Sequence, residues 1–292
     1  MLIVPNGQHD AINPRQITTI MPSLYIVATP IGNLEDITLR AIRILTEVAI
    51  IATEDTRRTR KLLARYKIKT PLTSYHEHNK RRKIPVILET LKTQDMALVS
   101  DAGTPVISDP GYDLIIKAQT VGVSIISVPG PSAVISALSV SGQPPEPFLF
   151  VGFLPSRKVA RRSLLETLKM KTYTLIAFEA PHRLHECLSD LLKILGDRDI
   201  SLCRELTKIH EQIFKGKISS ALDHFSKPKG EFTLVISGAS EQRITPNLEE
   251  LKAEIIRLKR EGETARNTVS LLAEAWGLSR REVYQMWVGL NQ

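Results

Sequence analysis

Cysteine is almost missing: Cys187 and Cys203 are the only two in 292 residues. Two are too few for a disulfide framework and lie too far apart for a C-x-x-C motif, so free buried thiols in a reducing compartment are expected. No two glycines are separated by a single residue. That removes G-x-G-x-x-G and the glycine-rich loop of common Rossmann methyltransferases, and G-x-x-x-x-G-K-[ST], H-E-x-x-H and G-x-S-x-G are absent too. A dehydrogenase, a P-loop NTPase, a zinc protease and an α/β-hydrolase are thereby set aside. No apolar run approaches the roughly 20 residues of a membrane span. Residues 1–22 have no basic leader and carry Asn6, Gln8, Asp10 and Asn13. They read as a disordered extension rather than a signal peptide, which predicts a cytoplasmic protein without membrane association.

Present instead are 42% hydrophobic residues and a formal charge of +8, enough apolar content for real cores and a bias towards an anionic partner, nucleic acid first. Short Ile/Val/Leu runs at 24–28, 48–53, 96–100 and 124–128 alternate with helical periodicity, the pattern of a mainly parallel sheet with helices on both faces. Asp36 is expected to cap the first helix, 56–66 to be a basic helix, 74–83 a polar lead into the next, and Pro131 to open another. Three prolines within 144–147 make a stiff linker. Beyond it, strands at 148–153, 173–178, 200–204, 211–214 and 232–237 imply a mixed sheet. After Gly238 only helices are expected, at 246–261, 264–275 and 279–290. Ser279 and Glu282 have capping-box spacing, and the turn at Gly277 resembles a helix-turn-helix. The expected fold class is therefore α/β: domains at 23–142 and 147–240 plus a helical module at 245–292. That module either engages nucleic acid or packs through Leu271, Leu272, Val283 and Trp287.

Ligands in such sheets sit beyond the carboxyl ends of strands. Four loops of the first domain qualify, at 29–33, 54–57, 101–105 and 129–132, and Gly103 and Gly130 allow close backbone approach. Basic residues recur at Arg57, Lys61 and Arg65, sharing one helix face, and again at 80–83 and 157–162. With one strand-end cleft between them they favour RNA phosphates. Tyr75 and His76 are candidates to stack an unpaired base. His76 and His78 flank Glu77, a weak metal pattern without a cysteine nearby.

The runs ATPIGNL (28–34), EDTR (54–57), SYHEHN (74–79), SDAGTPVISDPG (100–111), PGPS (129–132), APHR (180–183) and GEF (230–232) resemble those of the tetrapyrrole methylase superfamily. More narrowly, they resemble its bacterial branch that 2′-O-methylates a cytidine in the decoding region of 16S rRNA. The resemblance implies two unlike α/β domains with a cleft between them, S-adenosyl-L-methionine as cofactor, 16S rRNA in the 30S subunit as partner, and a homodimer. It implies cofactor contacts from Pro30, Ile31, Gly103, Thr104, Ile107, Ser132 and Ala133, and from Glu179 and Ala180 across the cleft. Thr104 replaces an acidic residue of the superfamily's loop, which leaves Asp101 as the nearby carboxylate.

Methylating a ribose hydroxyl needs a base, or a cation that favours the alkoxide, and no metal. The candidates on strand-end loops are Glu54, Asp55, Arg204, Glu205 and Lys208. Arg183, Arg280 and Arg281 join the expected RNA contacts. Two rival readings stand beside this one: a small-molecule methylase of tetrapyrrole type, and a non-catalytic RNA-binding or ribosome-assembly protein.

Overall fold

In the computed structural model, residues 22–240, 248–276 and 278–290 are described. The expected extension at 1–22 (apart from Pro22), the start of the tail at 245–247 and the turn residue Gly277 fall outside them. The first domain is built on β1 (Ser23–Val27), β2 (Ile50–Thr53), β3 (Leu72–Ser74), β4 (Met96–Val99) and β5 (Ser124–Val128). All pair in parallel, in the order β3-β2-β4-β1-β5. Helices α1 (Leu39–Glu47), α2 (Thr56–Arg65), α3 (Lys80–Thr90), α4 (Tyr112–Thr120) and α5 (Ala133–Ser141) follow the strands. Apolar residues fill both faces of the sheet. Ala41, Ile44, Leu45, Leu62 and Leu63 lie in one cluster, and Ile87, Leu91, Leu114 and Ala118 in another.

Three details differ from the sequence reading. Thr38, not Asp36, caps α1, its hydroxyl accepting from Ala41 N at 3.1 Å; Asp36 closes a 3₁₀ turn instead. Pro131 lies outside α5, whose N-cap is Ser132. Strand β3 was not expected, because three half-buried residues at a sheet edge carry no alternation to read.

The second domain holds β6 (Phe148–Phe153), β7 (Thr174–Glu179), β8 (Asp199–Arg204), β9 (Gln212–Lys217) and β10 (Phe232–Ile236), in the order β6-β7-β10-β8-β9. Only β6 and β7 are parallel, which makes the sheet mixed as expected. Helices α6 (Lys158–Leu168), α7 (Leu184–Leu195) and α8 (Ile218–His224) cover one face. The other face receives α5: Val134, Ala137 and Leu138 bury against Ile176, Cys203 and Val235. One helix of the first domain thus packs onto the second sheet and fixes the cleft between them.

The tail comprises α9 (Leu248–Arg260), α10 (Ala265–Trp276) and α11 (Arg280–Gly289). Ser279 and Glu282 complete the expected capping box. Its core is its own: Leu251, Ile255, Leu272 and Val283 cluster with Trp287, and Lys259 lies 4.5 Å from the Trp287 ring centroid. Leu271 stays exposed. Among the described residues this cluster includes none from the α/β domains, so these side chains assemble a separate module rather than glue it to the body. No described helix is long and apolar enough to cross a membrane.

Candidate functional site

The four first-domain loops converge and are stitched together. Thr29 and Gly103 form an isolated bridge between the β1 and β4 loops. Asp101 Oδ1 accepts from Asp55 N at 3.0 Å, and Arg58 reaches Asp101 Oδ2 at 3.3 Å. The Thr104 hydroxyl donates to Pro131 O at 3.4 Å. Gly103 has φ +83°, and a Cβ there would lie 3.4 Å from Ile31 Cγ2. Gly130 is required for closeness rather than for its φ, since a Cβ would lie 3.1 Å from Ala28 Cβ.

Between these loops and the edge of the second sheet is a cavity of about 430 Å³, the size of a small-molecule site. Of the residues singled out from sequence, Ile31, Glu54, Asp101, Gly103, Thr104, Ile107, Ser132, Ala133, Glu179, Ala180 and Lys208 line it. Pro30 is buried behind the wall. Asp55 caps α2 and binds Arg57 through both carboxylate oxygens, which holds its carboxyl down at about 2. Arg204 donates to Lys229 O and Gln212. Glu205 acts indirectly, accepting from Lys208 Nζ at 2.9 Å while Glu231 accepts from the same ammonium at 2.8 Å.

Sequence reasoning missed several lining residues: Arg58, Asp109, Phe153, Phe178, Cys203 and Glu231. Asp109 had a signal, the second aspartate of SDAGTPVISDPG, but nothing to distinguish it from a turn former. Phe153 and Phe178 stack edge to face at 5.4 Å as the apolar wall.

Three of the five carboxylate residues that line the pocket, Glu54, Asp101 and Asp109, come from the first domain. Burial, followed by the charge of Glu54, pushes the Asp109 carboxyl up to about 6. Glu54 is also raised, by burial and then by Asp101. A carboxyl poised near neutral pH is suited to accept a proton. Burial pulls the Lys208 ammonium down, but its bonds to Glu231 and Glu205 outweigh that and keep it charged.

Opposite them is Glu179, 2% exposed. Its Oε1 accepts from Arg183 at 2.6 Å and from Ala180 N at 2.8 Å. The side chain is wholly buried and close enough to Cys187 on α7 to join burial in pushing that thiol up. This carboxylate is therefore a partner of Arg183 and Cys187 within the second domain rather than an acceptor open to the cavity.

The expected RNA contacts divide. On α2, Arg57, Lys61 and Arg65 do share an exposed face. Tyr75 is 1% exposed inside the first-domain core and is unable to stack a base. His76 beside it is half-buried. Arg183 is turned inward onto Glu179 rather than towards solvent. In the 157–162 run, Arg161 and Arg162 both bind Asp190, at 2.6 and 2.7 Å. Arg280 and Arg281 are exposed on the tail. Among the described residues no group of three His, Cys, Asp or Glu is placed to hold a metal ion.

Comparison with known proteins agrees with this architecture. Residues 23–222 match the family described as tetrapyrrole (corrin/porphyrin) methylases. The chain is 52% identical over 221 residues to "Ribosomal RNA small subunit methyltransferase I" of Thermotoga maritima, covering 75% of this chain and 99% of that one. A protein of the same name from Synechocystis is 45% identical, covering 93% of this chain and 99% of its own. The structure of uroporphyrin-III-C-methyltransferase from Thermus thermophilus superposes with a TM-score of 0.53 at 20% identity, over 73% of this chain and 93% of that one. At that identity it speaks for the fold alone.

Proposed function

The chain belongs to the tetrapyrrole (corrin/porphyrin) methylase family and to its group of ribosomal RNA small subunit methyltransferase I proteins, and on that premise we propose that it methylates a ribose 2′-hydroxyl of a cytidine in 16S rRNA, with S-adenosyl-L-methionine as donor. The observation that carries the reading is a single cavity with two chemistries. One side is a backbone-and-apolar cradle, and the other holds titratable carboxylates facing a fixed ammonium.

The cofactor fits what is there. Gly103 and Gly130 keep the loop backbones close, and Phe153 and Phe178 supply an apolar face. Ile31, Gly103, Thr104, Ser132, Ala133 and Ala180 would hold it, with Pro30 supporting Ile31 from behind. When bound, S-adenosyl-L-methionine supplies an electrophilic methyl carbon. The chain's part is to position the ribose and to remove its proton.

Asp109 takes that proton, with Glu54 beside it to keep its affinity for protons near the working range. The Lys208 ammonium favours the developing alkoxide, and Glu205 and Glu231 hold it in place. The exposed α2 face, Arg57, Lys61 and Arg65, contacts RNA phosphates. Arg280 and Arg281 on the tail extend that contact. The alignment to the Thermotoga protein spans about the length of the two α/β domains alone, so the tail adds grip on the 30S particle rather than chemistry. We take the acting form to be a homodimer in the cytoplasm, where ribosomal subunits are.

Calorimetric titration with S-adenosyl-L-methionine, then methyl transfer to 30S subunits, tests the reading. Micromolar binding and labelled 16S rRNA are expected. Absence of cofactor binding would return the chain to a non-catalytic assembly role.

A further inference from the structure

A second cavity, about 700 Å³, lies on the outer side of the same wall. Its floor is the Gly32–Glu35 loop of the first domain, one side is Arg65 near the end of α2, and the other is the loop 205–211 of the second domain. Lys208 lines both cavities, and the neighbouring pairs Ile31–Gly32 and Leu206–Thr207 divide between them, so these short segments form the wall.

That wall is rigid. Glu205 and Thr207 hold φ of +51° and +65° without being glycine, a strained conformation that persists only where surrounding bonds over-determine it. Those bonds are present. Thr207 N donates to Glu211 Oε2 at 2.6 Å, Glu205 N to Glu231 O at 3.0 Å, and Asn33 N to Thr207 Oγ1 at 2.9 Å across the domain boundary. Gly32 lets the loop lie flat: a Cβ there would meet Lys208 Cγ at 2.5 Å and Leu206 O at 3.0 Å.

The outer groove presents an exposed guanidinium where a polyanion would run. Arg65 is 60% exposed and, among the described residues, has one carboxylate partner, Glu35, at the limiting distance of 4.0 Å. His210 is exposed at the rim. Arg60 and Lys61 continue the charge along α2, and among the described residues neither has a carboxylate within ion-pair distance.

We propose that this groove receives the single-stranded RNA segment flanking the target ribose, with Arg65 and His210 on its phosphates and Lys208 as the threshold across which the ribose enters the catalytic cavity. This rests on the RNA-methyltransferase reading of the neighbouring site and assigns the path its substrate takes. A phosphate arriving at Arg65 displaces the long Glu35 contact, an exchange that loses little because exposed ion pairs are weak.

The test compares Arg65→Glu and His210→Ala with Lys193→Glu, which makes the same charge change as Arg65→Glu on an exposed residue of α7 that lines neither cavity. Binding to 30S subunits from cells lacking the protein is measured across a salt series, together with cofactor affinity and methyl transfer. Arg65→Glu should weaken subunit binding at least about 10-fold and flatten the salt slope by about 1. His210→Ala should raise KM more than it lowers kcat. Both should leave cofactor affinity within about twofold, and Lys193→Glu should match wild type. If Arg65→Glu binds subunits with the affinity and salt slope of Lys193→Glu, the groove is not on the RNA path. Wild-type transfer to 30S subunits then still upholds the enzymatic reading. Conversely, no transfer by the wild type, with the salt-slope change intact, sinks that reading and leaves the groove as an RNA site.

Discussion

Thr29 and Gly103 exchange both backbone hydrogen bonds, each at 2.9 Å, although 74 residues separate them. The pair locks the loops after β1 and β4 into one surface, and Thr104 follows at once with its hydroxyl on Pro131 O. Thr104→Arg puts a long charged side chain into a space lined by backbone, and overpacking of this kind costs about 1–3 kcal/mol or more. The variant should stay folded by circular dichroism and lose at least about 10-fold in cofactor affinity by calorimetry. Undiminished affinity would mean the cradle lies elsewhere.

Asp109 allows a prediction with two readouts. Its folded-state value of about 6 lies above the ordinary carboxyl value of 3.8, so between roughly pH 4 and 6 the native state binds a proton that the unfolded chain releases. Stability should therefore fall as pH rises through that window and stay lower above it. Asp109→Asn should remove this slope and stabilise the protein at pH 7 by about 1 kcal/mol, a figure discounted for the residue's partial exposure. The same variant should lose kcat by about 100-fold or more, and with it the rise in wild-type rate through pH 6. A variant that is stabilised and fully active would reduce Asp109 to a structural carboxyl.

Arg183 was expected to face RNA but is paired with the buried Glu179. Arg183→Ala strands that charge, which typically costs about 3–5 kcal/mol. A clearly lowered melting temperature with an unchanged salt slope for 30S binding is expected. A flattened slope without destabilisation would favour the RNA contact instead.

The parallel first sheet, the mixed second sheet, the linker and the three tail helices were legible because apolar runs and their turn residues alternate plainly. Most cofactor-side residues were legible too, since they sit at the carboxyl ends of those runs. Direction was not. Tyr75, Arg161 and Arg183 look like surface chemistry in a string of letters, and their inward orientation is decided by partners such as Asp190 and Glu179, 29 and 4 residues away. Asp109, Phe153 and Glu231 reach the cavity from three separate segments, a convergence that no local pattern encodes.

The tail's separate core makes it removable. Truncation after Ser240 should leave a folded protein with near-normal cofactor affinity, a kcat within a few-fold of wild type, and a KM for 30S subunits raised about 10-fold, as expected for lost binding common to ground and transition states. Insoluble protein would show that the tail supports the body, and an unchanged KM would remove it from RNA engagement.

The most direct test of the central claim is transfer of labelled methyl from S-adenosyl-L-methionine to 30S subunits lacking the modification, followed by digestion of the 16S rRNA to nucleosides. The label should co-migrate with 2′-O-methylcytidine, and a porphyrin precursor offered in parallel should take up none. Label on a nucleobase, or on the porphyrin with none on the RNA, would contradict that claim.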